Sequence, residues 1–539
     1  MANNKKTFGL DEALKHPDHS RPKTRREFIS QGFKAGGGMM LGTSIFSLMG
    51  SRAHGISGGL LDKYYNPTSC ELSNLTGRKI PFICFDLAGG ANISGSNVLV
   101  GGPGGQLDPL STAGYQKLGL TPDITPNDAG DFSDDSLGLL FHTESAMLRG
   151  IQERASAGAQ AATNGAVIPC RSDNDTGNNP HNPMYGIYQA GLRGQLLQLV
   201  GSENTESGGN SMAPSMYINP EIRPTKIDRA SDARGLVDVG DLNQLLDNSE
   251  DVVAVMEAMK HITDFKLDMS DTLVTPTAQD TKLKERISCE YLRSADTLEK
   301  YNDPNVIDPS VDPIIVDDAT GIFTTAEFNG DREFQKTASV MKLVIDGHAG
   351  AGTIEMGGFD YHTGDRRTGE ARDLRAGRCI GACIEYAMQK NTPLMIYVFS
   401  DGSVASNGMI EMVNGIEKGV WTGDNSSTGA SFFLVIDPVG GRPALLDQMP
   451  SNPLMHQQLG WMRSDASVET GATPAANSVN LLVETVILNY MALHGEETSF
   501  ANAGYFPSQS LGATVDERKR YTAFQPLASV SGGYITPPV

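Results

Sequence analysis

The sequence predicts an α/β protein, a three-layer sandwich in which helices cover both faces of a mostly parallel sheet. From Asp331 onward, segments with helical periodicity alternate with short continuous apolar runs, the pattern of strands buried between helices. The 60 glycines and 28 prolines indicate many loops, which disfavours a helical bundle. The length of 539 residues allows one large α/β domain with insertions as well as several smaller domains.

Apolar runs and periodicity place the individual elements. The predicted strands are 82–85, 166–168, 352–356, 394–399 and 432–436. The predicted helices are 141–155, 185–200, 334–345, 370–389 and 479–493. A further helical pattern around 245–301 reads as an insertion in the α/β domain, and the Pro- and Asp-rich stretch 302–318 as a hinge or linker.

The N-terminal segment 1–53 has the features of a twin-arginine export signal. Arg25 and Arg26 precede a bulky apolar pair, a Gly-rich and moderately hydrophobic stretch follows, and small residues end the segment at Ala53. A transmembrane helix is one alternative, but the apolar run is short and a lysine interrupts it. A soluble helix with a chance Arg-Arg pair is the other, and the coincidence of several signal features disfavours it. We therefore expect the twin-arginine translocation machinery as a partner, a periplasmic or secreted mature chain 54–539, and no stable membrane insertion after cleavage.

The charge and cysteine content narrow the classes of partner and site. The net charge of −21 disfavours nucleic acids and anionic membranes, which bind to basic surfaces. No CxxC pair is present, so neither a zinc ribbon nor a thioredoxin-type site is supported. Cys379 and Cys383 lie four residues apart in a helical pattern, and we expect them to pack as small hydrophobic side chains.

Acidic residues follow several of the predicted strands. Parallel sheets bind ligands beyond the carboxyl ends of their strands, where the sequence places Asp86, Asp360, Asp401 and Asp437. His362 lies two residues after Asp360, so both side chains leave the same face of an extended chain. A carboxylate and an imidazole from this pair can bind one divalent metal ion.

Structural roles compete with this interpretation. An aspartate after a strand is often a turn former or a helix N-cap, and this alternative is preferred for Asp437. His181 is either a metal ligand or an ordinary loop histidine, whereas His142 and His348 are expected to be structural. The motifs of a nucleophile elbow, a P-loop, a dinucleotide site and a zinc-protease helix do not occur in a suitable context.

Several short motifs, taken with the export signal, resemble a bacterial family. They are the turn 85–92 after the first strand, the segment 353–362, Ser400-Asp401-Gly402, Gly423-Asp424-Asn425 and the loop around His181. These motifs resemble an exported sulfatase-like family of unknown function, with a fold of the alkaline phosphatase and sulfatase type. The resemblance implies a metal site in which His181 and Asp424 are further candidate ligands.

The chain departs from the family pattern at three positions. Asn92 stands where the family tends to have aspartate and Asn425 where it has histidine, and no arginine follows Asp401 at the expected place. An asparagine can bind a hard cation through its amide oxygen, but it contributes no charge. The residues that remain are enough for one cation and fewer than a two-metal site needs.

Two functions stay open on the sequence alone. The first is a metal-dependent hydrolase of phosphate or sulfate esters, whose nucleophile is unknown among Ser94, Ser172 and Thr176. The second is a non-catalytic periplasmic or cell-surface protein that uses the same scaffold for binding or assembly.

Overall fold

The structure is a computed structural model that describes most of the chain after the N-terminal segment. The described residues are 77–172, 179–237, 303–446 and 457–536, together with Ala258, 261–263, 265–266 and Tyr301. The described residues within 77–237 and 303–536 belong to one compact unit. The predicted signal residues Arg25, Arg26 and Ala53 lie outside the described residues, as does nearly all of the predicted insertion 245–301.

Thirteen strands occur in the described residues. In chain order they are β1 Phe82–Leu87, β2 Ser133–Asp134, β3 Phe141–His142, β4 Thr163–Pro169, β5 Leu197–Gly201, β6 Thr225–Lys226, β7 Ala349–Met356, β8 Leu394–Ser400, β9 Val404–Val413, β10 Ile416–Asp424, β11 Ala430–Ile436, β12 Val530–Ser531 and β13 Tyr534–Ile535. Seven of them form the central sheet, in the order β4-β11-β8-β1-β7-β5-β6. Strand β11 runs antiparallel to both of its neighbours, and the other pairs are parallel.

Ten α-helices and several 3-10 turns connect these strands in the described residues. The helices are α1 Thr112–Lys117, α2 Ala146–Arg154, α3 Ala157–Ala161, α4 Met184–Gln189, α5 Ala230–Gly235, α6 Thr325–Gly330, α7 Arg332–Ile345, α8 Arg367–Gln389, α9 Val479–Leu493 and α10 Val515–Lys519. The 3-10 turns are Pro122–Ile124, Pro220–Ile222, Pro304–Ile307, Pro309–Val311, Ser426–Thr428, Pro474–Asn477 and Glu497–Ser499. None of the described helices is long and apolar enough to cross a membrane.

Helices cover both faces of the central sheet. On one face, strand residues such as Phe82 and Tyr397 share a core with helix α9. On the other face, a Cβ atom at Gly352 would lie 2.7 Å and 2.8 Å from the methyl carbons of Val340 and Val344 in helix α7. The prediction of an α/β fold around a mostly parallel sheet is confirmed, whereas the sulfatase-like type of that fold stays a prediction.

The predicted helix 185–200 is wrong in its second half. Helix α4 ends at Gln189, and 197–201 forms strand β5 of the central sheet. Gly191 adopts a φ of +103°, a left-handed conformation that does not continue a helix. The predicted helix 141–155 is also shorter, because Ser145 caps α2 by accepting a hydrogen bond from the Leu148 N–H.

The segment between the predicted strands 394–399 and 432–436, for which the sequence predicted no element, forms the antiparallel hairpin β9–β10. Val413 pairs with Ile416 across a turn of Asn414 and Gly415, whose φ values are +53° and +85°. Positive φ at both central positions is typical of a type I′ hairpin turn. This hairpin carries Asp424 at the end of its second strand.

Candidate metal site at the sheet edge

Neighbouring parallel strands bring three predicted site residues to one edge of the sheet. Asp86 is the fifth residue of β1, Asp401 directly follows β8, and Asp360 lies in the loop after β7. The strand order places β1 between β8 and β7. Asp437 follows the antiparallel strand β11 and therefore lies at the opposite edge, where its Oδ1 accepts a hydrogen bond from the Gly440 N–H (2.9 Å) as a turn former does.

A glycine turn after β1 links the three strand ends. Gly89 has a φ of +126°, and its N–H donates a hydrogen bond to Asp401 Oδ1 at 2.7 Å. A Cβ atom at this position would lie 2.3 Å from the backbone nitrogen of Asp360, so only glycine fits between the two segments. The next N–H groups of the turn, at Gly90 and Ala91, both donate to Ser400 Oγ (3.1 and 2.8 Å).

Asp360, His362 and Asp424 form a group that we call the rim cluster. His362 Nε2 lies 2.6 Å from Asp360 Oδ1 and 3.3 Å from Asp424 Oδ1. One ligand atom from each side chain lies within 4.8 Å of the other two. No other group of three or more metal-ligating side chains meets this condition in the described part of the chain.

The rim cluster has donors and exposure that suit a divalent cation. Two carboxylates and one imidazole form a mixed O and N ligand set. Ligand bonds near 2.1 Å require neighbouring ligand atoms about 3 Å apart, which is close to the separations found here. The three side chains are 35–45% exposed, so both a cation and a further ligand from solution can reach them.

Asp86 and Asp401, which we call the inner pair, are buried, and each carboxylate accepts two hydrogen bonds from the protein. The Asp86 carboxylate accepts from the Ser211 N–H (2.7 Å) and the Ser211 hydroxyl (3.1 Å). The Asp401 carboxylate accepts from the Gly89 N–H and from Asn210 Nδ2 (3.2 Å). The sequence had grouped these aspartates together, but in the structure the inner pair is buried, whereas the side chains of the rim cluster are partly exposed.

Burial changes the acidity of Asp86. Burial, helped by the negative charges of Asp401 and Glu355, raises the pKa of the Asp86 carboxyl to about 7, against the lowering effect of the Ser211 hydrogen bonds. Near neutral pH, Asp86 is thus partly protonated, and a protonated carboxyl is a poor cation ligand.

His181 is a buried histidine beside the inner pair. Its Nε2 lies 2.9 Å from Ser172 Oγ, its ring stacks on Phe399 with centroids 5.6 Å apart, and its Nδ1 has no hydrogen-bond partner. Burial lowers the pKa of His181 to about 3, so the ring is neutral at physiological pH. A buried ring nitrogen that lacks a partner is less destabilising as an acceptor than as an N–H donor. The proton of the neutral ring is therefore expected on Nε2, which has a partner, and not on Nδ1. Ser172 would then accept from His181 and donate to the Asp401 carbonyl (3.2 Å), a structural arrangement.

The remaining candidates have structural partners or lie outside the described residues. Ser94 is buried and its hydroxyl donates to the Thr428 carbonyl at 2.6 Å. Asn425 Oδ1 accepts from the Ser427 N–H (2.9 Å) and therefore caps a 3-10 turn. Thr176 is among the residues that the structure does not describe.

The other predicted structural residues are buried. His142 Nε2 lies 2.8 Å from the Ile124 carbonyl oxygen, and its Nδ1 accepts from the Glu144 N–H. Burial lowers the pKa values of His142 and His348 to about 4. Cys379 and Cys383 are buried and free, as expected for small hydrophobic side chains.

The sequence analysis missed Asn210 and Ser211 as partners of the inner pair. Both lie in a Gly- and Ser-rich loop after β5, which follows the segment predicted as a long helix. Gly191 and Gly194 indicate that the helix ends before β5. A strand predicted after them would have placed this loop at the same edge of the sheet.

Comparison with known proteins adds no relative. The chain matches no protein-family model, no curated protein and no solved structure.

Proposed function

We propose that this protein is a metal-dependent hydrolase of phosphate or sulfate esters that uses one divalent cation. The observation that carries the proposal is the meeting of Asp360, His362 and Asp424 at the carboxyl edge of a mostly parallel sheet. Asp360 and Asp424 would hold the cation through carboxylate oxygens, and His362 would hold it through Nε2.

The charge of the site explains why an ester hydrolase would need a cation here. An anionic ester that approaches the rim cluster meets two exposed carboxylates, with the inner pair close by. A bound divalent cation supplies charge neutralisation and polarises the ester oxygen. The partial exposure of the three side chains leaves room for the ester on the solvent side.

The two candidate nucleophiles that the structure describes, Ser94 and Ser172, do not support a covalent mechanism. Ser94 donates its hydroxyl hydrogen to a carbonyl, and Ser172 is buried between His181 and the Asp401 carbonyl. A nucleophile needs a base that removes its proton, and the lowered pKa of His181 makes it a weak base. Attack by water is therefore the route that we favour.

A hydrolase assay with Asp424→Asn tests the proposal. We expect wild-type protein with Mg²⁺, Mn²⁺ or Zn²⁺ to hydrolyse p-nitrophenyl phosphate or sulfate. Removing the charge of one ligand should lower this activity by more than about a hundredfold. Mutation of a group that only hydrogen-bonds to a metal ligand already lowers metal affinity or activity about 10–100-fold. Asp516→Asn, at a 94% exposed side chain, is the control for the loss of one negative charge. Equal activity in both variants, or no activity with either ester, would contradict the proposal.

A non-catalytic binding protein is the second candidate, and one observation favours it. Each carboxylate of the inner pair already accepts two hydrogen bonds from the protein, and Asn425 serves as a turn cap. A second metal ion would have to displace these contacts. Cation binding by the rim cluster without any esterase activity would support this candidate.

We further propose that the chain is exported by the twin-arginine machinery and works in the periplasm or outside the cell. The support is the sequence of 1–53, with Arg25, Arg26 and the small residues up to Ala53. Fractionation of cells that express the chain tests this, and a cytoplasmic mature protein would contradict it.

A further inference from the structure

We infer that Arg366, Glu370 and Lys418 form a buried positioning network, which sets the distance between Asp424 and the Asp360–His362 segment. The inference rests on the proposed cation site and assigns these three residues a role in cation affinity. None of them lies in the rim cluster itself.

The rim cluster is assembled from two separate chain segments. Asp360 and His362 lie in the loop between β7 and α8, whereas Asp424 ends strand β10. Trp421, three residues before Asp424, joins the two segments through its backbone. Its carbonyl accepts from the Gly364 N–H (3.0 Å), and its N–H donates to the Asp365 carbonyl (3.4 Å).

The indole ring of Trp421 packs between groups from the same loop and helix. The Arg366 guanidinium lies 4.5 Å from the ring centroid, and the Tyr361 ring centroid lies 6.3 Å away. A Cβ atom at Gly369 in helix α8 would lie 2.9 Å from the indole Nε1, so the helix approaches the ring closely. Tyr361, which separates Asp360 from His362, is thereby packed against the strand that carries Asp424.

Arg366 connects helix α8 to strand β10 through several hydrogen bonds. Its Nε donates to Glu370 Oε1 (2.9 Å), and its Nη1 donates to the carbonyls of Gly119 (3.3 Å) and Gly419 (3.2 Å). Gly419 belongs to β10, so a single guanidinium links the start of α8 to the strand of Asp424. The planar fork of arginine makes these contacts and the stacking contact at the same time, which lysine cannot do.

Lys418 completes the network from strand β10. Its Nζ lies 3.0 Å and 3.1 Å from the two oxygens of Glu370, and it also donates to the Glu144 carbonyl (2.8 Å). The side chains of Arg366, Glu370 and Lys418 are only 2–8% exposed. Buried charges are stable only when they are paired, so each member fixes the other two and the backbone around them.

The network matters for a cation because ligand distances tolerate little error. Metal–ligand bonds to oxygen and nitrogen fall within about 0.2 Å of their ideal lengths. A change in the packing between α8 and β10 would move Asp424 relative to His362 and would weaken the site without removing a ligand.

Cation affinity in Arg366→Lys tests the inference. The full-length protein is titrated with Mn²⁺ by calorimetry, and the visible absorption of bound Co²⁺ reports the coordination geometry. We expect Arg366→Lys to bind Mn²⁺ about tenfold more weakly, which is the lower end of the loss seen for groups that hydrogen-bond directly to metal ligands, and to alter the Co²⁺ spectrum. The matched control is Arg154→Lys, since Arg154 is likewise a poorly exposed arginine that pairs with a glutamate, Glu327, and packs on aromatic rings.

The outcomes separate this inference from the proposed function. Weaker Mn²⁺ binding and an altered spectrum in Arg366→Lys alone support the positioning role, even if both variants unfold at similarly lower temperatures. If wild type binds Mn²⁺ and Arg366→Lys binds it equally well, the positioning role is wrong while the cation site stands. If wild type binds neither Mn²⁺ nor Co²⁺, the cation site itself fails and the positioning role fails with it.

Discussion

Gly89→Ala is expected to destabilise the protein strongly and to disrupt the sheet edge that carries the site. The new Cβ would lie 2.3 Å from the Asp360 nitrogen, and the residue would have to keep a φ of +126°. Backbone strain and overpacking each cost about 1–3 kcal/mol, so we expect a total loss of about 2–6 kcal/mol in the free energy of unfolding. Chemical denaturation measures this loss.

A second glycine separates the two causes. Gly441 also has a positive φ, +81°, but a Cβ there would have no neighbour within 4 Å. Gly441→Ala should therefore show the strain alone, and its loss of stability should be clearly smaller. Equal losses in the two variants would mean that the contact between Gly89 and Asp360 does not constrain the site.

Asp86→Asn is expected to make the protein more stable at pH 8 than the wild type, by an amount on the order of a few kcal/mol. The pKa of Asp86 is about 7 in the folded protein, compared with an ordinary value of 3.8 for an aspartate in water. Between these two pKa values, the folded protein holds a proton that the unfolded chain has released. At pH 8 the folded protein must ionise a buried carboxyl, which destabilises it relative to the Asn variant. Asparagine keeps both contacts, since its oxygen accepts from the Ser211 N–H and its NH₂ donates to the Ser211 hydroxyl.

The sign of this effect follows from proton linkage. At pH values between 3.8 and about 7, the folded state keeps the Asp86 proton and the unfolded state loses it. The wild type therefore loses stability as the pH rises through this range, and the loss stays constant above the pKa of the folded state. The stability difference between variant and wild type should thus grow from pH 5 to pH 8. Unfolding by denaturant, with a chelator present, measures this difference in the free energy of unfolding. The buried histidines contribute equally to both proteins, so their contribution drops out of the difference. A difference that stays flat with pH would show that Asp86 is fully ionised.

Five strands of the central sheet, β1, β4, β7, β8 and β11, were predictable because each contains a short, largely apolar run that is buried on both faces. Phe82–Leu87 and Leu394–Ser400 are fully buried, and no polar alternation obscures such runs. Strand β5, in contrast, follows a short helix and two glycines. The apolar residues of the helix and the strand together fit a helical period over 185–200, so the sequence predicted one long helix there. The Asn414-Gly415 pair was a readable hairpin signal that the prediction did not use.

The site was predictable only where its residues are neighbours in sequence. Asp360 and His362 follow from their spacing after a strand, whereas Asp424 was suggested by family resemblance and reaches them through the β9–β10 hairpin. The burial of Asp86 and its contact with Ser211 depend on long-range packing between separate loops, which sequence spacing does not encode.

The most direct measurement of the central claim is a titration of the full-length protein with Mn²⁺ or Zn²⁺ by calorimetry. The rim cluster predicts one bound divalent cation per chain in the wild type and loss of that cation in Asp360→Ala combined with His362→Ala. The control double variant Arg463→Ala with Glu469→Ala removes an ion pair elsewhere in the protein and should bind like the wild type. Less than one cation per chain in the wild type, or unchanged binding in the rim variant, would contradict the claim.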